Sequence, residues 1–191
     1  NLWCNVPEAK HAQYKALLLE RFVQEPVTIV KRNIADVIGK LGMLLIPNKE
    51  WQELFVFVFT YTQSEELVQK EHAMILLSVI IEYFSQSDID TYYESLNPII
   101  ETYLSSELPS LKRLAVETVY NLTSMGSTSS SSVMKKYPNL IPLVLNAIDM
   151  NDKDLIKKIF ETLMEFIYIK KVMRPHLAVM IEHALNVAQN T

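Results

Sequence analysis

The feature that most constrains this chain is an internal repeat. Four segments align without gaps: VKRNIADVIGKLG from Val30, VQKEHAMILLSVI from Val68, LKRLAVETVYNLT from Leu111 and LIKKIFETLMEFI from Leu155. Their starts lie 38, 43 and 44 residues apart, the spacing of two-helix units that stack into a solenoid. In each segment the first position is aliphatic (Val30, Val68, Leu111, Leu155) and the third is basic (Arg32, Lys70, Arg113, Lys157). The sixth, ninth and twelfth are apolar: Ala35, Ile38 and Leu41 in the first segment, Phe160, Leu163 and Phe166 in the last. Steps of three place these side chains on one helical stripe, which predicts the core between helices.

Upstream of each segment lies a second apolar stretch of helix length, at 12–23, 51–62, 91–105 and 138–149. These are the A helices and the aligned segments the B helices. The breakers between them are Glu25-Pro26, the 63–66 run, Ser105-Ser106-Glu107 before Pro109, and Asn151-Asp152, all residues suited to turns or N-caps. The expectation is an all-α HEAT-repeat solenoid with a right-handed superhelix, a single array of hairpins at 8–45, 51–84, 91–125 and 135–170 plus a helix at 175–190. A β-branched and aromatic run, ELFVFVFTYT, has strand composition; its A-helix slot predicts a helix buried on most sides. Pro98 and Pro142 each fall thirteen positions before a B segment, which predicts a shared kink in two A helices. The array reads as a piece of a longer protein that stops mid-repeat, with apolar surface exposed at both ends.

Composition narrows the function. Eighteen Lys and Arg against 22 Asp and Glu give a net charge of −4, the wrong sign for a dedicated nucleic-acid binder and better matched to a basic partner. No apolar run reaches the roughly 18 residues that span a bilayer, so no membrane partner is expected. One cysteine, Cys4, excludes an internal disulfide framework and fits a reducing compartment.

Chemistry is sparse. His11, His72, His176 and His183 show no metal-ligand spacing, and His72 falls in a B-helix column beside Ile34, Ala115 and Ile159, which predicts a packed role. Three isolated glycines, Gly39, Gly42 and Gly126, build no phosphate loop, and no nucleophile motif appears. No catalytic, metal or cofactor site is expected, and an enzyme has no residues to stand on. The Asn121-Leu122-Thr123 sequon lies inside a B helix, and the Ser-rich run at 123–133 reads as a flexible connector.

What remains is surface. Off the packing stripe the seventh column reads Asp36, Met74, Glu117, Glu161 and the eleventh Lys40, Ser78, Asn121, Glu165. With Glu82 one turn further along its helix, these residues predict an acidic groove wall suited to a Lys- or Arg-rich partner. Lys31-Arg32, at the start of a B helix, reads as scaffold whose heads reach the neighbouring repeat or solvent.

The stretch from Pro26 to Phe84 resembles the N-terminal HEAT repeats of the importin-β (karyopherin-β) superfamily, most closely its importin-four branch. The resemblance rests on Lys31-Arg32, on Pro47 followed by Trp51-Gln52-Glu53-Leu54, and on Gln63-Ser64-Glu65 leading to Lys70-Glu71 and Ala73. It implies a nuclear import receptor that shuttles between cytoplasm and nucleus. Its concave B-helix face would receive Ran-GTP and basic cargo such as ribosomal proteins or histones, and its convex A-helix face the phenylalanine-glycine repeats of nucleoporins. Asp36, Glu82, Glu117, Glu161 and Glu165 are the candidate concave contacts. The competing expectation is a HEAT interaction scaffold of phosphatase or chromosome-associated type, because stacking alone does not specify a partner.

Overall fold

A computed structural model describes residues 3–124, 137, 139–148, 151–167 and 173–190. Among them are nine α-helices and no strand. The A and B helices alternate as α1 (His11–Gln24), α2 (Thr28–Leu45), α3 (Gln52–Thr62), α4 (Leu67–Ile80), α5 (Gln86–Leu104), α6 (Pro109–Thr123), α7 (Leu140–Asn146), α8 (Lys153–Ile167) and α9 (Leu177–Asn190). Each A helix packs on the B helix that follows it, and successive B helices, α2 on α4, α4 on α6 and α6 on α8, pack closely on one another. The A helices touch less, so the array curves with its B helices on the inner side.

The predicted stripe is the core. Ala35, Ile38 and Leu41 of α2, Ala73 and Leu76 of α4, Val116, Val119 and Leu122 of α6, and Leu163 and Phe166 of α8 are buried, while Val79 and Phe160 are half-buried at its margin. The strand-like run forms α3, with Leu54, Phe55 and Val58 buried and Val56 turned to solvent. Its β-branched residues are held helical by aromatic packing: Phe55 stacks on Tyr92 at 4.3 Å between ring centres and leans on Phe84 at 5.6 Å. Burial of this size outweighs the few tenths of a kcal/mol per residue by which helix propensity disfavours such side chains.

Each A–B turn is closed by a side-chain oxygen. Glu25 accepts the Val27 N–H, Ser64 that of Glu66, Ser106 that of Leu108 and Asp152 that of Leu155, at 2.9 to 3.1 Å. These bonds satisfy amide donors that a helix start leaves open.

Two elements depart from the sequence expectation. Helix α5 begins at Gln86 rather than 91, because Ser85 and Asp88 form a reciprocal capping box that starts it early. Pro98 does lie inside α5, but Pro142 is the third residue of α7, which starts only at Leu140. The shared interior kink therefore does not hold: in a first turn the missing proline N–H has no helical acceptor to lose. The last helix is preceded by a 3-10 turn at Arg174–His176, and Leu177, Val179, Ile181 and Leu185 of α9 are exposed, as an unstacked A helix predicts. The Ser-rich run beyond Ser124 and the 168–172 stretch lie outside the described residues.

Candidate functional site: the inner B-helix face

The basic pair at the start of α2 fixes how the first three repeats meet. Lys31 turns inward, its ammonium 5.9 Å from the centre of the Phe22 ring and hydrogen-bonded to Nε2 of His72 on α4. His72 is buried, its ring edge-on to Phe22 at 5.4 Å. Burial pushes the His72 pKa down and the Lys31 charge adds to this, with Glu71 opposing both; burial likewise lowers Lys31 against the pull of Glu25 and Glu71. His72 is thus neutral at pH 7 and accepts from the lysine, the packed role its column predicts.

Arg32 reaches further. Its Nη1 lies 3.4 Å from Oε1 and 3.5 Å from Oε2 of Glu117 on α6, 85 residues away, crossing α4 to join the first repeat to the third. Asn121 of α6 donates to the Ser78 carbonyl of α4 at 2.8 Å, which occupies the side chain of the sequon. Arg113 binds Asp152 at 2.6 Å. Burial raises the Asp152 pKa, but the Leu155 N–H and Arg113 outweigh it and hold the carboxyl below its usual range. Lys158 lies 3.4 Å above the Tyr120 ring, a cation–π contact.

These bridges line two adjoining clefts. One, of about 440 Å³, runs from Thr28 and Arg32 past Glu71 and Ile75 to Arg113 and Asp152. The next, of about 470 Å³, lies among Arg32, Arg113, Glu117, Asp154 and Lys158. The inner face at the N-terminal ends of the B helices is therefore a ladder of alternating charge, not an acidic wall.

The structure places the five predicted contacts in three settings. Asp36 is exposed on α2 and Glu82 exposed on the 3-10 turn after α4; both act on Tyr83, whose phenol is pushed up by burial and then by these carboxylates. Glu117 is half-buried and held by Arg32. Glu161 is half-buried within 3.9 Å of Lys157 and 3.8 Å of Lys158, and Glu165 is half-buried one turn on. The columns fail in the second repeat: Met74 and Ser78 face no groove but are buried, because α2 and α6 close over α4 from both sides. Arg32 reads from the sequence as scaffold, and neither its head nor those of Arg113 and Lys158 is expected in the groove. The recurrence of Arg32 and Arg113 at the third column was the available signal; Lys158 stands one position further along its segment.

On the opposite side, α3 and α5 enclose a groove of about 400 Å³ lined by Phe59, Thr62, Pro98, Ile99 and Tyr103. Pro98 removes the N–H that would have served the Glu94 carbonyl, and both residues line this groove. Among the described residues no helix is long and apolar enough to cross a membrane, and no three His, Cys, Asp or Glu side chains gather as metal ligands.

Over residues 26–183 the sequence matches the protein family described as IPO5-like, TPR repeats. The chain belongs to this family. It is a HEAT-repeat member of the importin-β superfamily, in agreement with the resemblance carried by Trp51 and its neighbours. A probable importin-5 homolog of Dictyostelium discoideum is 24% identical over 148 residues, covering 76% of this chain and 14% of the relative. A crystal structure of Kap121p bound to Nup53p superposes with a TM-score of 0.66 at 19% identity, covering 93% of this chain and 17% of that one; it shows the same solenoid fold. The IPO5-like chain thus spans about one-seventh of its Dictyostelium relative, and both the family and that relative are of the importin-5 type rather than the importin-four branch.

Proposed function

We propose that this chain is a segment of a nuclear import receptor that shuttles between cytoplasm and nucleus. Its B-helix face takes basic protein cargo, ribosomal proteins or histones being the expected type, and Ran in its GTP form. Its A-helix face takes phenylalanine-glycine nucleoporins. The observation that carries the reading is the pair of exposed carboxylates, Asp36 midway along α2 and Glu82 in the turn after α4, both near enough to Tyr83 to push its phenol up. Among the described residues no cation is bound to either, unlike Glu117, so of the five candidate contacts these two exposed ones are the most open to an incoming lysine or arginine. On the other face, the groove between α3 and α5 sets Phe59, Pro98, Ile99 and Tyr103 beside the polar Gln63, Glu94 and Thr102 and has the size to accept a phenyl ring. A relative in the same fold is described as bound to Nup53p, which supports the nucleoporin assignment.

The test uses this chain and the intact receptor of which it is a segment. Pull-down with Ran loaded with GTP or GDP is expected to show binding in the GTP state only, and Asp36→Lys with Glu82→Lys to weaken basic cargo by about tenfold, or 1.4 kcal/mol. Nucleotide-independent Ran binding, or cargo binding unchanged by the double reversal, overturns the reading.

A further inference from the structure

The first column of the repeat is aliphatic throughout, yet its members meet different fates. Leu111 and Leu155 are each 2% exposed, whereas Val30 and Val68 are 40% and 58% exposed. Around these two valines the same edge of the array carries Val27 and Ile29 at the start of α2, Leu67 at the start of α4 and Leu108 before α6, all exposed. Three successive A–B turns therefore present bare aliphatic side chains, whereas among the described residues of the fourth no aliphatic one is exposed. Scattered apolar residues on a surface are ordinary, but a contiguous row is a mark of contact.

Acidic residues are interleaved with this row. Glu25 precedes Val27, Glu65 and Glu66 precede Leu67, and Glu107 precedes Leu108; Glu65, Glu66 and Glu107 are exposed and Glu25 is half-buried. Glu25 accepts the Val27 N–H, and Glu66 accepts from Gln69 at 2.7 Å. Of the cations that follow on the B helices, Arg32 is drawn to Glu117 and Arg113 to Asp152, while Lys31 bonds His72 and lies within the field of Glu25. Lys70 and Lys112 are half-buried, and Arg21, one turn before Glu25, is exposed. The edge consequently combines a row of aliphatic side chains with a local excess of carboxylates.

We propose that the A–B turn edge of the first three repeats is a docking surface for an amphipathic helix of a partner protein, bearing aliphatic side chains at seven-residue intervals flanked by lysine or arginine. The interval follows from packing. Adjacent helices lie about 8–10 Å apart, and a helix rising about 1.5 Å per residue covers that distance in about seven residues. Aliphatic side chains seven apart then meet Val27–Val30, Leu67–Val68 and Leu108 in turn, while the basic residues between them face Glu25, Glu65, Glu66 and Glu107. This surface lies outside the groove and shares no residue with the transport reading, so either holds or fails without the other.

The probe is a capped synthetic peptide of about 20 residues with leucine at every seventh position, lysine beside each leucine and alanine elsewhere. Its comparators are a scrambled peptide and one with glutamate for lysine. Fluorescence anisotropy on the 191-residue chain is expected to show the patterned peptide binding about tenfold or more tightly than either comparator. Ile29→Ser with Val68→Ser should remove that advantage, and Glu65→Lys with Glu107→Lys should flatten its salt dependence. Both pairs of sites are exposed, so thermal midpoints by circular dichroism should match the parent, and hydrogen-exchange protection should fall on residues 25–30, 65–68 and 107–108. Equal binding of the scrambled peptide, wild-type affinity in the Ile29/Val68 variant, or protection mapped to Arg32, Arg113 and Lys158 overturns the proposal. So does a concentration-dependent dimer that the same variant abolishes, which would assign the edge to a second copy of the chain.

Discussion

Helices α4 and α8 hold the same slot in the second and fourth repeats, yet they treat the same columns in opposite ways. In α8 the buried residues, Leu155, Ile156, Ile159, Thr162, Leu163 and Phe166, form one stripe, and Glu161 and Glu165 stand off it. In α4 every side chain from His72 to Ser78 is buried. The difference is in the neighbours: α4 has α3 behind it and a B helix on each flank, α2 and α6, with Arg32 and Glu117 joined above it, whereas the described contacts of α8 are with α6 and α7. A column therefore predicts a residue's direction from its own helix, but its exposure depends on how tightly the adjoining repeats close.

The comparison is broken most sharply by giving α4 the acid that its column carries elsewhere. Met74→Glu puts a carboxylate at a site with no exposed surface and no cation bound there, and is expected to cost about 3 to 5 kcal/mol, as for an uncompensated buried charge. Glu161→Lys, at the equivalent place on α8, should change stability by no more than about 0.5 kcal/mol, since that face is half-exposed and like charges four apart cost only a few tenths. Urea unfolding of both variants checks this. Equal losses would mean that the two columns are equivalent after all.

The closeness of α2 to α4 has a second gauge in the glycines of α2. A Cβ on Gly39 would meet Val79 Cγ1 at 2.5 Å and Tyr83 Cε2 at 3.0 Å, while one on Gly42 would meet the terminal Ile46 Cδ1 at 3.2 Å. Valine is stiff at χ1 and the tyrosine ring is wedged beside it, so Gly39→Ala should lose about 1 to 2 kcal/mol net, overpacking exceeding the roughly 1 kcal/mol gain in helix propensity. In Gly42→Ala the isoleucine tip rotates aside, and the variant should be as stable as the parent or slightly more so. Thermal melts of the pair read the difference directly.

The same interface should respond to acid. Burial and the Lys31 charge depress the His72 pKa in the folded chain below its ordinary 6.5, so the unfolded chain binds more protons as pH drops through that value. The contribution of neutral His72 is full above about pH 6.5 and is lost progressively below it. The urea midpoint should fall between pH 7.5 and 5.5, and His72→Leu should remove part of that slope. An identical slope in the variant would show that His72 does not carry the acid sensitivity.

Much of this was readable in the residues. The three-residue steps from Ala35 to Leu41 and from Phe160 to Phe166 identified the core stripe, and the repeat decided ELFVFVFTYT against its own strand composition. The early start of α5 was also present, as Ser85-x-x-Asp88, a cap that the apolar pattern alone passes over. Other features lie beyond one-dimensional pattern. Arg32 and Glu117 are 85 residues apart, and nothing in either helix indicates that α4 is narrow enough to bridge. For the same reason Glu117 read as a free acid, when its charge is already partly answered. Asp36 and Glu82 belong to separate helices in the sequence, and only the fold brings Asp36 near enough to act on Tyr83 together with Glu82.

The smallest expected effect concerns the bridge itself. At 3.4 Å the Arg32–Glu117 pair is long for a charged hydrogen bond, and its side chains are 42% and 29% exposed, so solvent screens much of the attraction. A double-mutant cycle of Arg32→Ala, Glu117→Ala and both together should give a coupling of about 0.2 to 0.5 kcal/mol, falling toward zero in 1 M salt. Burial of α4 then rests on its apolar contacts, and Met74 should stay protected from oxidation in all three variants. A coupling of several kcal/mol, or Met74 becoming reactive when either partner is removed, would make the bridge the clamp that closes the second repeat, and the difference between α4 and α8 would be electrostatic rather than a matter of packing.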